Sequence, residues 1–247
     1  MLPAYPGRRP WLREGRSPRV LVLPGDGVGP EVVEAALHVL RAAMERCGFS
    51  LEIRFAEAGD GAERRLGDPL PGETRRLVER WADAVLKGPV GETAGRVVVP
   101  LRRLLGAYAN IRPARSLPGV ESLKPIDLVI VRENLEDVYA GIEWSVPGAA
   151  FAVKVVTEAE SRRVARVAAW YASRRRRRVT IVHKANVLRV ADGLFRDAAR
   201  SELEGYGGVE VDEMYVDAAA MEMVRSPGRF DVVLTMNQYG DILSDLA

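Results

Sequence analysis

Residues 20–30 read VLVLPGDGVGP, an apolar run that breaks into a glycine-rich turn and then into Pro30, a residue suited to the first turn of a helix. The run shows no polar alternation, the pattern of a strand covered on both faces and so of a parallel sheet. Strand, tight turn and helix together make the first half of an α/β unit. The glycines Gly25, Gly27 and Gly29 are spaced G-x-G-x-G and miss the G-x-G-x-x-G dinucleotide fingerprint. No acidic residue closes the next strand at the distance a ribose needs, although Glu57 comes near. The turn reads as an ordinary strand-to-helix connection, and the standard Rossmann topology is not expected.

The alternation continues on both sides of this stretch. After the helix over 30–47 come a strand over 52–56, a helix over 72–81, a strand over 84–87, a loop over 88–95 and a helix over 98–108. A second set follows, with strands over 127–131, 152–157, 179–183, 210–216 and 231–235 and helices over 160–171, 192–204 and 218–225. The expected fold class is α/β with much parallel sheet. The division is a basic extension over 1–17, a first domain over 18–107 and a second over 108–247.

With 247 residues, 47% of them apolar, the chain can bury a large core. Its one cysteine, Cys47, rules out an internal disulfide and fits a reducing compartment such as the cytoplasm. No run is long and apolar enough to cross a bilayer, so no membrane partner is expected. The Pro-, Gly- and Arg-rich opening reads as a disordered extension or as the product of a start codon set too early. A net charge of +2 gives no reason to invoke nucleic acid. The five arginines 174–178 lack interleaved aromatic residues for base stacking and read as a solvated basic cluster at a helix C-terminus. Only four lysines occur, Lys87, Lys124, Lys154 and Lys184, and each is informative because a lysine can release a proton that an arginine keeps.

Near the end, Asp241 and Asp245 stand four apart behind the apolar run 232–234. If Gly240 opens a helix there, both carboxylates share one face and two hard oxygens point at one place, as Mg²⁺ or Mn²⁺ requires. Alone, the pair is as well explained by a helix cap and a surface residue. Arg102, Arg112 and Arg132 stand at element ends and offer the fork geometry that suits carboxylates. His183-Lys184-Ala185-Asn186 ends another strand.

The stretches LPGDGVGPEVV, LRRLLGAYANIRPAR, VRENLEDVYAGIE, HKANVL, YVDAAAM and FDVVLTMNQYGDILSD, in that order and spacing, resemble the isocitrate and 3-isopropylmalate dehydrogenases, a family of metal-dependent β-decarboxylating dehydrogenases. The resemblance implies an isopropylmalate dehydrogenase-like two-domain α/β fold whose first domain is completed by sequence from the far C-terminus. It implies that Arg102, Arg112 and Arg132 grip the substrate's two carboxylates. Asp241 and Asp245 would hold Mg²⁺ or Mn²⁺ together with Asp217 of the partner subunit. Tyr139 and Lys184 would form the acid–base pair, with Lys184 and Asn186 reaching across the interface of a homodimer or higher oligomer with shared sites. NAD, or NADP, would meet Val28, Gly88 and Gly91.

Within the family, Val97-Val98-Val99 before Arg102 and Val187 opposite form an apolar wall that suits an isopropyl group, since an unpaired carboxylate there would be costly to desolvate. The implied reaction is oxidative decarboxylation of 3-isopropylmalate to 2-oxoisocaproate in leucine biosynthesis, with isocitrate or homoisocitrate as alternatives. The family's segment beyond Ala247, which holds the adenosine half of NAD, is not in the sequence, so the first domain is expected to be incomplete and turnover weak or absent. Two further readings stay open: an inactive subunit that pairs with an active one, and nucleic-acid binding through the arginine run, which salt-sensitive retention on heparin would reveal.

Overall fold

A computed structural model describes residues 17–247, which fall into two compact units, 17–106 and 107–247. The expected extension over 1–17 lies, except for Ser17, outside the described residues.

The first unit runs β1 (Arg19–Leu23), α1 (Gly29–Cys47), β2 (Glu52–Phe55), α2 (Asp60–Leu66), α3 (Gly72–Arg80), β3 (Ala84–Lys87) and α4 (Ala94–Leu104). Its sheet has the order β2-β1-β3, all parallel. Leu21, Val22 and Leu23 are fully buried because β1 is the middle strand with helices on both faces. Leu21 and Leu23 join the cluster with Val78, Val97 and Leu101, while Val22 packs with Val33 and Leu37 of α1. α2 was not anticipated, and α4 begins and ends earlier than the expected 98–108. It stops at Leu104 because Gly106 turns the chain with a φ of 58°.

The second unit contains β4 (Ala109–Arg115), β5 (Asp127–Glu133), a 3₁₀ turn (Val138–Ala140), β6 (Glu143–Val146), β7 (Ala149–Ala152), α5 (Glu158–Ala172), β8 (Arg178–His183), α6 (Ala191–Glu204), β9 (Glu210–Tyr215), α7 (Val216–Arg225), β10 (Val232–Thr235) and α8 (Asn237–Leu246). Its main sheet has the order β4-β5-β10-β8-β9, parallel except for β4. The central strands divide their residues between two apolar layers. Val129, Val131, Val232 and Leu234 meet α5 and α6 through Val164, Ala168 and Phe195. Leu128, Ile130 and Val233 meet α7 and α8 through Met223 and Leu243. α5 starts on a Thr157 hydroxyl that accepts from the Glu160 amide, the S/T-x-x-E start signal.

Several expectations are corrected. The run over 152–157 is not a strand: the ladder is the β6–β7 hairpin, closed by Pro147-Gly148, and beyond Ala152 only Val155 bridges to Asp137. α7 opens at Val216, so Asp217 lies in its first turn. α8 opens three residues before Gly240, which sits inside the helix. A Cβ there would lie 2.5 Å from Arg132 Cγ, so only glycine lets the helix approach that buried side chain. The arginine run is solvated only in part: Arg174, Arg176 and Arg177 are exposed, yet Arg175 and Arg176 are tied to the body of the unit. Arg175 donates to Asp231 at 2.8 Å and to Asp127 at 2.7 Å, Arg176 donates to the Phe230 carbonyl, and Asp231 is buried.

Candidate active site

The end of β5, the Tyr139 turn and α8 meet in the second unit. Antiparallel pairing sets Asn110 opposite Arg132 and Arg112 opposite Ile130, which puts Arg112 and Arg132 on the face that α8 covers. Arg132 is wholly buried. Its Nε donates to Asn237 Oδ1 at 2.9 Å and its Nη1 donates to Asp241, while Nη2 has no hydrogen-bond partner among the described residues. The Tyr139 hydroxyl donates to the other Asp241 oxygen at 2.5 Å, and the Arg132 guanidinium stands 5.2 Å from the Tyr139 ring centre. Arg112 lies 3.7 Å from Asp241 and 3.7 Å from Asp245, and its Nε donates to Asn110 at 3.1 Å. Burial raises the Asp241 pKa, but the Tyr139 hydroxyl and the two guanidinium groups outweigh it and hold the carboxyl below its ordinary range.

Arg112, Arg132, Tyr139, Asp241 and Asp245 are thus brought together in one chain. Asp217 is not among them, since no three His, Cys, Asp or Glu side chains gather as a metal site among the described residues. Asp217 instead accepts from Lys184 Nζ at 2.6 Å, and that contact is the first cause of its lowered pKa. The partner that the chain gives Lys184 is therefore a carboxylate. Asn186 and Val187 are exposed in the turn after Lys184. The donor chemistry nevertheless fits a hard dication: two carboxylates one helical turn apart, both within reach of one guanidinium, with Asp245 largely exposed.

The remaining expected residues belong to the first unit. Arg102 lies on α4. Val97 is fully buried in the core, so it cannot form a substrate wall, whereas Val98 and Val99 are half-buried. Val28 is exposed at the start of α1. Gly88 follows β3, and a Cβ on Gly91 would lie 2.2 Å from Asp60 Oδ2, so Gly91 is explained by packing. Asp26 accepts from the amides of Asp60, Gly61 and Gly91 at 2.8, 2.9 and 3.2 Å, tying the glycine-rich turn to α2 and to the 88–95 loop. Beside that turn, at the carboxyl ends of β1 and β2, lies an open cavity of about 650 Å³ lined by Gly25, Asp26, Phe55, Glu57 and Arg65.

Two shifted groups lie outside the expected site residues. Burial raises the Glu133 pKa to about 7 despite amide donors from Leu135 and Glu136. Burial, then the charge of Arg102, lowers that of Lys87. The scarcity of lysine had marked Lys87, whereas only its place at the end of β5 hinted at Glu133.

The chain matches the isocitrate/isopropylmalate dehydrogenase family over residues 19–247 and belongs to it. It is 53% identical over 231 residues to the 3-isopropylmalate dehydrogenase of Saccharolobus solfataricus, covering 93% of this chain and 68% of that protein. It is 49% identical to the 3-isopropylmalate dehydrogenase of Sulfurisphaera tokodaii, covering 92% and 67%. The crystal structure of isocitrate dehydrogenase from Methylococcus capsulatus superposes with a TM-score of 0.83 at 41% identity, covering 93% of this chain and 69% of that one.

Proposed function

We propose that the protein oxidises and decarboxylates 3-isopropylmalate to 2-oxoisocaproate with NAD and Mg²⁺ or Mn²⁺, a step of leucine biosynthesis carried out in the cytoplasm. The observation that carries this reading is the buried Arg132 guanidinium, whose unmatched Nη2 would be satisfied by a carboxylate oxygen next to an aspartate pair suited to a dication. The similarity to 3-isopropylmalate dehydrogenases supports the choice of substrate.

A dication on Asp241 and Asp245, completed by Asp217 of the partner subunit, would supply Lewis-acid polarisation of the substrate, and NAD would accept hydride. The chain's own residues do the rest. Arg112 and Arg132 hold substrate carboxylates and fix the reacting carbons. Lys184, reaching across the interface, takes the hydroxyl proton when hydride leaves C2. Once C2 is a ketone, the carboxylate on the adjacent carbon leaves as carbon dioxide, and Tyr139 gives its proton to the carbon left behind. For this the Tyr139 hydroxyl must exchange its bond to Asp241 for the substrate. The NAD side would use Val28, Gly88 and Gly91 in the first unit.

Homodimerisation with shared sites is supported by the separation of Asp217 from Asp241 and by the β6–β7 hairpin. That hairpin exposes Trp144 and Phe151, stacked with centroids 5.2 Å apart, together with Val146. The test is Mn²⁺-dependent NAD reduction with 3-isopropylmalate and isocitrate in parallel. Faster turnover of 3-isopropylmalate is expected. Preference for isocitrate would transfer the assignment to the other branch of the family, and inactivity with both would reject it.

A further inference from the structure

Lys154 carries a buried ammonium that the mechanism does not use. Its side chain is 13% exposed, and Nζ stands 3.0 Å from Asp192 Oδ1, a charge contact without aligned hydrogen-bond geometry, and 3.6 Å from Asp137 Oδ1. It also stands 4.3 Å from the centre of the Tyr239 ring. Both aspartates are buried. No second cation contacts either of them among the described residues.

Each aspartate uses its other oxygen on a backbone amide of a different element. Asp192 Oδ2 accepts from the Lys184 amide at 2.7 Å. Asp137 Oδ2 accepts from the Gln238 amide, in the first turn of α8, at 2.9 Å. Asp137 Oδ1 accepts from Val138 at 2.8 Å, at the head of the turn that carries Tyr139. Lys154 is fixed in turn, because the flanking Val155 amide and carbonyl pair with Asp137. One ammonium therefore stands between two carboxylates that pin the Lys184 turn, the Tyr139 turn and the start of the helix bearing Asp241 and Asp245.

We propose that Lys154 is a positioning residue for the reaction: by neutralising Asp137 and Asp192 it keeps those three elements in the register that sets Tyr139 and the aspartate pair at one substrate and presents Lys184 to the site shared with the partner subunit. The role in catalysis rests on the function proposed above, while the linkage between the elements stands on geometry alone. Without the cation, two buried carboxylates lose their counter-charge and must hydrate or bind protons, and the amides they hold are released. Displacements well under the length of a bond are enough to slow a positioned proton transfer.

Amide hydrogen exchange on the full chain tests the linkage. Lys154→Met is expected to speed exchange at Lys184 and Gln238 by about tenfold or more, with Ile181 and Leu234 in the central strands changing less than about threefold. Lys154→Arg, which keeps the charge, should bring both sites back to within about threefold of wild type. If Lys154→Met does not fold, Asp192→Asn serves instead: it should speed exchange at Lys184, whose acceptor it weakens, and leave Gln238 as it was. In the Mn²⁺-dependent assay Lys154→Met should lower kcat about tenfold with KM within about threefold. Unchanged exchange at Lys184 and Gln238 in a folded Lys154→Met, or a rise shared equally by the central strands, would overturn the proposal. So would an Asp192→Asn protein in which Lys184 exchanges at the wild-type rate. A wild-type chain without turnover would instead remove the function on which the catalytic role rests, and the exchange pattern would still decide the linkage.

Discussion

Gly240→Ala sets two effects of similar size against each other. In a helix interior alanine is favoured over glycine by about 1 kcal/mol, so α8 alone would gain from the change. The added Cβ, however, would lie 2.5 Å from Arg132 Cγ, 2.7 Å from Arg132 Cβ and 3.0 Å from Arg132 Cδ. Those atoms belong to the stem of a side chain with no exposed surface, and its far end is held by Asn237 and Asp241. Overpacking of this kind costs about 1–3 kcal/mol, so a net loss of about 1 kcal/mol is expected, a fall in Tm of roughly 2–4 °C. The effect on binding should be larger, because the guanidinium must move with its stem. Loss of one charge-assisted hydrogen bond to a substrate carboxylate is worth about 2 kcal/mol, roughly thirtyfold in Kd. Calorimetric titration of 3-isopropylmalate in the presence of Mn²⁺, beside thermal melts, reads both. A Gly240→Ala protein as stable as wild type with an unchanged Kd would show that α8 does not depend on close approach to Arg132.

Other consequences are equally direct. Glu133 has its folded pKa raised from 4.5 to about 7, so its protonated form is favoured in the fold. That contribution is complete below about pH 4.5 and lost as pH rises through 7. Glu133→Gln should therefore stabilise the protein by up to about 3 kcal/mol at pH 8 and by little at pH 4.5, read by urea unfolding; equal effects at both pH values would contradict the assignment. Asp231→Asn leaves Arg175 and Arg176 without their buried anion and should cost about 3 kcal/mol, whereas a loss below about 0.5 kcal/mol would return the arginine run to a solvated role. Trp144→Ser on the exposed hairpin should shift sedimentation toward monomer, and an unaltered dimer would exclude that surface.

The elements legible in the sequence are those whose apolar runs reflect burial directly. β1, β5 and β8 are covered on both faces, and their unbroken hydrophobic stretches announce it. β4 was missed because Pro113 and its arginines argue against a strand, yet proline is tolerated on an antiparallel edge. Gly240 was read as a helix opener because glycine usually breaks helices, and its true reason is the stem of Arg132, more than a hundred residues earlier. The run over 152–157 looks like a strand by composition, but Lys154 turns in toward Asp137 and Asp192, partners that only the tertiary fold supplies. In the same way the sequence could nominate Arg112, Arg132, Tyr139, Asp241 and Asp245, while the bonds among them depend on the register of β4 on β5 and the placement of α8. The shift of Glu133 was illegible because burial is a property of the fold.

The central claim is that Asp241 and Asp245, completed by Asp217 of the partner subunit, hold a dication beside Arg112 and Arg132. Anomalous diffraction from crystals grown with Mn²⁺ and 3-isopropylmalate tests it most directly. The account predicts a peak about 2.1 Å from oxygens of all three aspartates, with the substrate's carboxylates on the two guanidinium groups. A well-ordered crystal with substrate bound and no Mn²⁺ peak at Asp241 and Asp245, or with the peak at another site, would contradict it.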